Sequence, residues 1–336
     1  TVVVAGTTTT TTTDSDDTYD DTLTKIKTSI DNASISGLTV TKYLNTLHLS
    51  RNAAFTITAK GGPNNDKLVV FQDQVDNVSQ LPTQSFEGHV VKVMNTEATG
   101  DTYFAKFRAD DGTSGPGFWE ETRDPSKSPG LDSATMPHEL INSAVNTFTF
   151  QRISWVERKV GDDNTNSHPS FVGAKIQQSF FHNNRLGFLS NDNVSLSQSA
   201  DFYNFYHTSA KVVTDADPVD LSCSTTRPAA LHAVIPTTQG LVLFSRKQQF
   251  LMYSGDGVLT PSSTVIRTIS NYEMDTEVDP VDMGTRINFI SKTPAYTRIF
   301  RLITRGQDEN SQVLDVGRVV NEWVPATIDT FIASPQ

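Results

Sequence analysis

Three times in the second half of this 336-residue chain, an apolar strand ending in serine is followed by a short polar step and a second strand. The copies are Arg185-Leu186-Gly187-Phe188-Leu189-Ser190 with residues 193–197, Gly240-Leu241-Val242-Leu243-Phe244-Ser245 with 249–253, and Arg286-Ile287-Asn288-Phe289-Ile290-Ser291 with 298–303. The closing serines, Ser190, Ser245 and Ser291, stand 55 and 46 residues apart. Propeller blades return every ~40–50 residues, and a blade is too thin to cover its own faces without a neighbour. Three copies are fewer than the roughly four to eight blades of a closed propeller. The pattern predicts an open stack of sheets, or a ring completed by chain outside this sequence. Chance recurrence of ordinary hairpins is the competing account. Residues 331–336 carry no stop signal, so the sequence reads as an internal piece of a longer protein.

Composition agrees with sheets. Thr, Ser, Asn and Asp are heavily used, and their side chains compete for backbone hydrogen bonds, which favours turns and strands over helix interiors. Hydrophobic residues make up 36% and mean hydropathy is −0.33, so the chain can bury a core under a polar surface. The fold expected is mainly β: a β-meander domain plus an incomplete β-propeller-like domain, with a short N-terminal helix. Length alone predicts about two domains. Patterning divides the chain into residues 1–60 (helix and hairpin), 61–150 (meander) and 151–336 (partial set of blades).

Leu23, Ile26 and Ile30 follow helical spacing after a run of aspartates and predict a helix over 22–33. Before it lies an unbroken threonine run, residues 7–13. Such a run cannot bury enough apolar area to order itself, although threonine suits a strand, so its order must come from the rest of the chain or a neighbouring copy. Residues 46–50 and 54–59 alternate across Arg51-Asn52-Ala53 and read as a hairpin, with His48 facing solvent. Further strands are expected at 67–72, 89–94, 102–108 and 117–122, separated by turn-rich stretches at 61–65 and 110–117. Pro137 followed by His138, Glu139, Leu140 and Ile141 reads as one helical turn. The N-terminal Thr-Val-Val-Val-Ala-Gly lacks the basic start of a signal peptide, and no apolar run approaches the ~18 residues of a membrane helix.

Net charge is −11 and the isoelectric point about 5.0, which disfavours simple binding to DNA phosphates. Arg158-Lys159 and Arg246-Lys247 are only basic pairs. A single cysteine, Cys223, rules out an internal disulfide framework and a multi-thiolate zinc site, and reads as a small buried side chain. Gly112-Thr113-Ser114-Gly115-Pro116 fails as a nucleophile elbow because its fifth residue is proline. No dinucleotide or phosphate-binding loop is present, and the seven histidines form no close metal-ligand pair in sequence. These absences nominate no catalytic and no cofactor-binding residue. Asp162 and Asp163, in Asp162-Asp163-Asn164-Thr165-Asn166, are weak candidates for holding a cation through oxygen ligands, set against a capped turn. Asp215, Asp217 and Asp220 read as a solvated acidic turn, and the aromatic run 202–206 as a buried anchor that could instead stack on a sugar ring.

The stretch from Trp155 to Tyr206 carries more. It contains Trp155 followed by Gly161-Asp162-Asp163-Asn164-Thr165-Asn166, then Pro169-Ser170-Phe171-Val172-Gly173, then Asn184-Arg185-Leu186-Gly187-Phe188-Leu189-Ser190 and Asp201-Phe202. With Thr135-Met136-Pro137-His138 upstream, and Asp217-Pro218-Val219-Asp220 and Leu259-Thr260-Pro261 downstream, it resembles the tail tubular protein B, or nozzle, family of short-tailed bacteriophages. The resemblance implies a structural, non-enzymatic part of the virion tail. It implies assembly of identical subunits into a hexameric tube, with a tail adaptor protein above and tail fibre proteins attached. It further implies passage of double-stranded DNA through the lumen, and contact with the host cell envelope through distal parts. It supplies no catalytic residue and no cofactor. Acidic side chains lining the lumen would let DNA slide, although the same acidity also serves solubility. Two other readings stand beside it: a tail-associated enzyme degrading carbohydrate or peptidoglycan, which needs two close carboxylates in a cleft, and a glycan- or receptor-binding module with exposed aromatics.

Overall fold

The computed structural model describes residues 1–44, 46–61, 68–95, 102–225, 228–284, 286–303 and 311–333. The chain divides into two compact units. One comprises residues 1–128 with 159–166 and 209–211; the other comprises 129–158, 167–208 and 212–336.

The first unit opens with β1 (Val2–Val4) and β2 (Thr7–Thr9), joined by Ala5 and Gly6, both at positive φ (51° and 80°). A two-residue turn of that hand matches the twist of the flanking strands. The first three residues of the threonine run are thus paired by the chain itself, Thr9 with Val2 and Thr7 with Val4, while residues 10–13 form no strand. Helix α1 (Tyr19–Asn32) begins three residues earlier than its apolar spacing predicts. The Thr18 hydroxyl accepts from the Asp21 amide while the Asp21 carboxylate accepts from the Thr18 amide, a reciprocal cap that fixes the start. Ile26 and Ile30 pack against Val2, Val4 and Val40.

The expected hairpin of 46–50 with 54–59 does not form. β3 (Leu38–Tyr43) pairs with β4 (Thr46–Arg51), whereas β5 (Ile57–Ala59) pairs with β1. Periodicity located the strands but not their partners, because partner choice is made by the apolar faces that meet across α1. The larger sheet holds β6 (Gln74–Val75), β7 (Gln84–Phe86), β8 (Val90–Val93), β9 (Tyr103–Ala109) and β10 (Ser114–Thr122), in the order β6-β8-β9-β10-β7. Its three central strands are the expected meander; β6 is an outer strand, parallel to β8. Residues 68–72 are not a strand but a coil packing Phe71 against this sheet; Lys67 and residues 62–65 of the expected loop lie outside the described residues.

In the second unit, Pro137 starts no helical turn. β11 (His138–Ala144) pairs with β12 (Thr147–Arg152) as a two-stranded hairpin, alternating in the way strands do. Three four-stranded antiparallel meanders follow. They are β13 (Ile176–His182) to β16 (Val219–Ser222) through β14 (Arg185–Ser190) and β15 (Asn193–Leu196); β17 (Leu231–Thr237) to β20 (Val265–Ser270) through β18 (Gly240–Ser245) and β19 (Gln249–Tyr253); and β21 (Val281–Asp282) to β24 (Gln312–Asp315) through β22 (Ile287–Lys292) and β23 (Thr297–Ile303). The serine-ended repeat is the two central strands of each sheet.

The sheets pack face to face. Leu189, Val194 and Leu196 of the first share a core with Leu241, Leu243, Phe250 and Met252 of the second. The alternate residues of the second, Val242, Phe244 and Leu251, meet Ile287, Phe289, Phe300 and Leu302 of the third. The first sheet's outer face, Leu186 and Phe188, is covered by Met136, Ile153, Trp155, Phe171 and Phe205. A strand covered on both faces reads as a continuous apolar run rather than an alternating one, which is why every residue of β14 and β18 is buried. The arrangement is that of propeller-like blades.

Candidate functional site

Asp162 sits in a capped turn of the first unit. One carboxylate oxygen accepts from the amides of Asn164 (2.9 Å) and Thr165 (3.0 Å) and from the Thr165 hydroxyl (3.1 Å). Burial pushes its carboxyl up, but the hydrogen bonds from Thr165 and Asn164 outweigh that and hold it below the usual range. Asp163 points elsewhere and pairs with Lys127 at 2.9 Å. The two carboxylates named from sequence are therefore not brought to a common point, and among the described residues no group of three or more His, Cys, Asp or Glu could hold a metal.

The acidic stretch around Pro218 departs from its expected solvated turn. Asp217 is fully buried and accepts from the Thr208 amide (3.1 Å) and hydroxyl (2.9 Å) and the Thr214 amide (2.8 Å), with His207 Nδ1 at 3.8 Å. Buried Arg185 donates to the carbonyls of Ser197, Asp217 and Asp215 at 2.7–2.8 Å. Asp220 accepts from the Ser170 amide and hydroxyl and the Ser195 hydroxyl. Thr208, Thr214, Asp215 and Ser170 lie in connections and Ser195 lies in a strand of the first blade, so the cluster fastens connections to the sheet. Desolvation raises the Asp217 carboxyl, and the bonds from Thr214 and Thr208 reverse this and leave it lowered. Sequence reading missed these roles because a buried charge paired with distant backbone leaves no local signature. Arg158, read only as half of a basic pair, is likewise buried.

The aromatic run splits. Phe205 and Tyr206 are buried, the Tyr206 hydroxyl lies 2.7 Å from His168 Nδ1, and burial pushes that hydroxyl up to about 12. Phe202 and Tyr203 stay about one-third exposed, with Phe202 edge-on to Phe181 at 5.4 Å. Cys223 is buried, and desolvation pushes its thiol up to about 12.

His48 does not face solvent. It is half-buried in a cavity of about 600 Å³ in the first unit, 4.5 Å ring to ring from Phe86 and 6.3 Å from His89. His89 shares a hydrogen bond with the Ser85 hydroxyl at 2.8 Å and stacks on Phe86 at 4.8 Å. Burial, then the neighbouring His48, brings His89 down to about 4, so both rings are neutral at neutral pH. This aromatic box lines the cavity together with Leu23, Ile26 and Ile30 of α1 and residues of the β3–β4 hairpin.

Blades stacked through both faces, with buried polar groups holding the connections between strands, define a β scaffold of the propeller-like class. The chain belongs to the bacteriophage nozzle protein family, whose model matches residues 1–336. Tail tubular protein gp12 of Escherichia phage T7 is 31% identical over 247 residues, which cover 73% of this chain. They cover 30% of that protein, so the chain spans under a third of the relative's length. Membership makes the chain a structural component of a phage tail, located in the virion tail.

Proposed function

We propose that the chain is a subunit of a tail nozzle that extends the DNA-ejection channel, and that it acts by holding neighbours without making or breaking bonds. The family match over residues 1–336 carries this reading. In it, identical copies close into a hexameric ring, an adaptor protein sits on one side, and fibre proteins attach outside. Double-stranded DNA passes through the lumen, and distal parts of the longer protein meet the host envelope. The stack of blades supports a holding role, because sheets covered on both faces form a stiff body and leave loops and edges free for neighbours. The charge of −11 supports a lumen wall that does not grip phosphate.

Negative-stain images of the purified protein, with a polysaccharide and peptidoglycan degradation assay on the same sample, test the reading. Six-fold rings without hydrolysis are expected. A monomer that turns over a glycan polymer would overturn it, and a ring reconstruction with net basic lumen walls would remove the sliding argument.

A further inference from the structure

The β11–β12 hairpin is exposed along its whole length beyond Glu139, yet one of its faces is apolar. Cross-strand pairing sets Leu140 opposite Phe150 and Asn142 opposite Phe148, so Leu140, Phe148 and Phe150 share one face. Their exposures are 64%, 61% and 70%, and Val145 at the tip is 90% exposed. The opposite face carries Glu139, Thr149 and Gln151 beside Ile141. Among the described residues neither strand has a second neighbour, so both edges offer unpaired backbone groups. A free two-stranded hairpin is at best marginally stable in water. This one is anchored at its root: Met136 before it, and Ile153 and Trp155 after it, are buried in one core cluster. Among the described residues only the His138 ring, stacked on Phe150 at 5.2 Å, lies on that apolar face, and an amphipathic hairpin held firmly at its base with such a face has the form of an arm that docks on another molecule.

We propose that this hairpin is an assembly arm whose partner is a second copy of the same chain, a deepening that rests on the reading of the chain as a ring subunit. Charge favours that partner. The twelve residues 140–151 carry no charge in a chain of −11, so the arm adds no charge of its own where it approaches a like-charged copy. Area agrees. Two phenylalanines and a leucine on that face, with the valine at the tip, hide on the order of 500 Å² on the arm at these exposures. That makes roughly 1,000 Å² over both partners, about the lower bound for a specific interface. Closed rings also need a heterologous contact, in which an arm of one copy seats on a different surface of the next. A membrane is the weaker partner, because the hairpin has no lysine and no tyrosine or tryptophan, and the acidic chain is repelled by anionic lipid.

The test compares the parent chain with the triple variant Leu140→Ser, Phe148→Ser, Phe150→Ser by sedimentation over a range of concentrations. Because all three side chains are exposed, circular dichroism and the melting temperature of the variant should match the parent. The concentration at half-assembly should rise at least a hundredfold. In parallel, Val145→Cys carrying a maleimide–benzophenone label, with native Cys223 buried, should photo-cross-link into a species of twice the 36.9 kDa chain mass. If the triple variant assembles like the parent, or the cross-links all fall within one chain, the arm is wrong while the ring-subunit reading stands. A parent chain that stays monomeric at every concentration and degrades glycan defeats both. Flotation of the hairpin-intact chain with phosphatidylglycerol vesicles, lost in the variant, would replace the second copy by a membrane.

Discussion

Gly240 shows how much a single position in this protein is fixed by its surroundings. Its φ is +136°, and a Cβ there would collide with the Met252 backbone carbonyl across the strand. Gly240→Ala should therefore cost about 3 kcal/mol or more, from backbone strain and a displaced strand together. Urea denaturation would measure it, and a loss under 1 kcal/mol would contradict the stated geometry. Gly187 is tight for another reason, as a Cβ there would run into the ring of Phe180, its partner on the neighbouring strand. His89 gives a residue-scale pH effect. Its folded pKa is about 4 against about 6.5 unfolded, so the unfolded state binds more protons in that window. The contribution is full above pH 6.5 and is lost as pH falls toward 4, by about 1–2 kcal/mol after allowing for its partly open surroundings. His89→Phe should flatten that part of the stability profile; an unchanged slope would remove His89 as its source.

Elements were legible to different degrees. Helix α1 announced itself by Leu23, Ile26 and Ile30, but its first turn was fixed by the Thr18–Asp21 cap, which apolar spacing does not report. The central strands of each blade were readable because coverage on both faces demands unbroken apolar runs. Their outer partners, such as β13 and β20, are half-exposed and mixed in character, so they blended into the polar background. The turn after Pro137 was misread for a related reason. Five residues carry too little periodicity to separate a helical turn from a strand, and the cross-strand pairs Leu140–Phe150 and Glu139–Gln151 decided it. The blade contact itself can be probed at Phe289, which is fully buried with its ring 5.7 Å from Phe244 of the neighbouring sheet. Phe289→Ala should destabilise the second unit by about 3–5 kcal/mol. Calorimetry resolving the two units would check this, since the first should melt unchanged.

For the whole molecule, the acidic balance has two measurable consequences. Asp21, Glu87, Asp111, Asp162 and Asp217 all have carboxyls held below their ordinary range by hydrogen bonds, so each takes up protons more readily unfolded. Their joint contribution is present above about pH 4 and disappears as pH falls through the lowered values. Duplex DNA should show no measurable retention by the chain in a gel-shift assay at 0.15 M salt. Retention that weakens with added salt would reveal a basic surface that the net charge conceals.

By itself the sequence determined the class of the fold, the helix, the repeated central strands and the family, because each is written in local periodicity or in the order of short blocks. Tertiary structure decided which strands pair, where His48 and Asp217 lie, and that Asp162 and Asp163 point to different partners. Those outcomes depend on which faces meet and what they bury, and burial is a property of the folded whole that no neighbouring residue encodes.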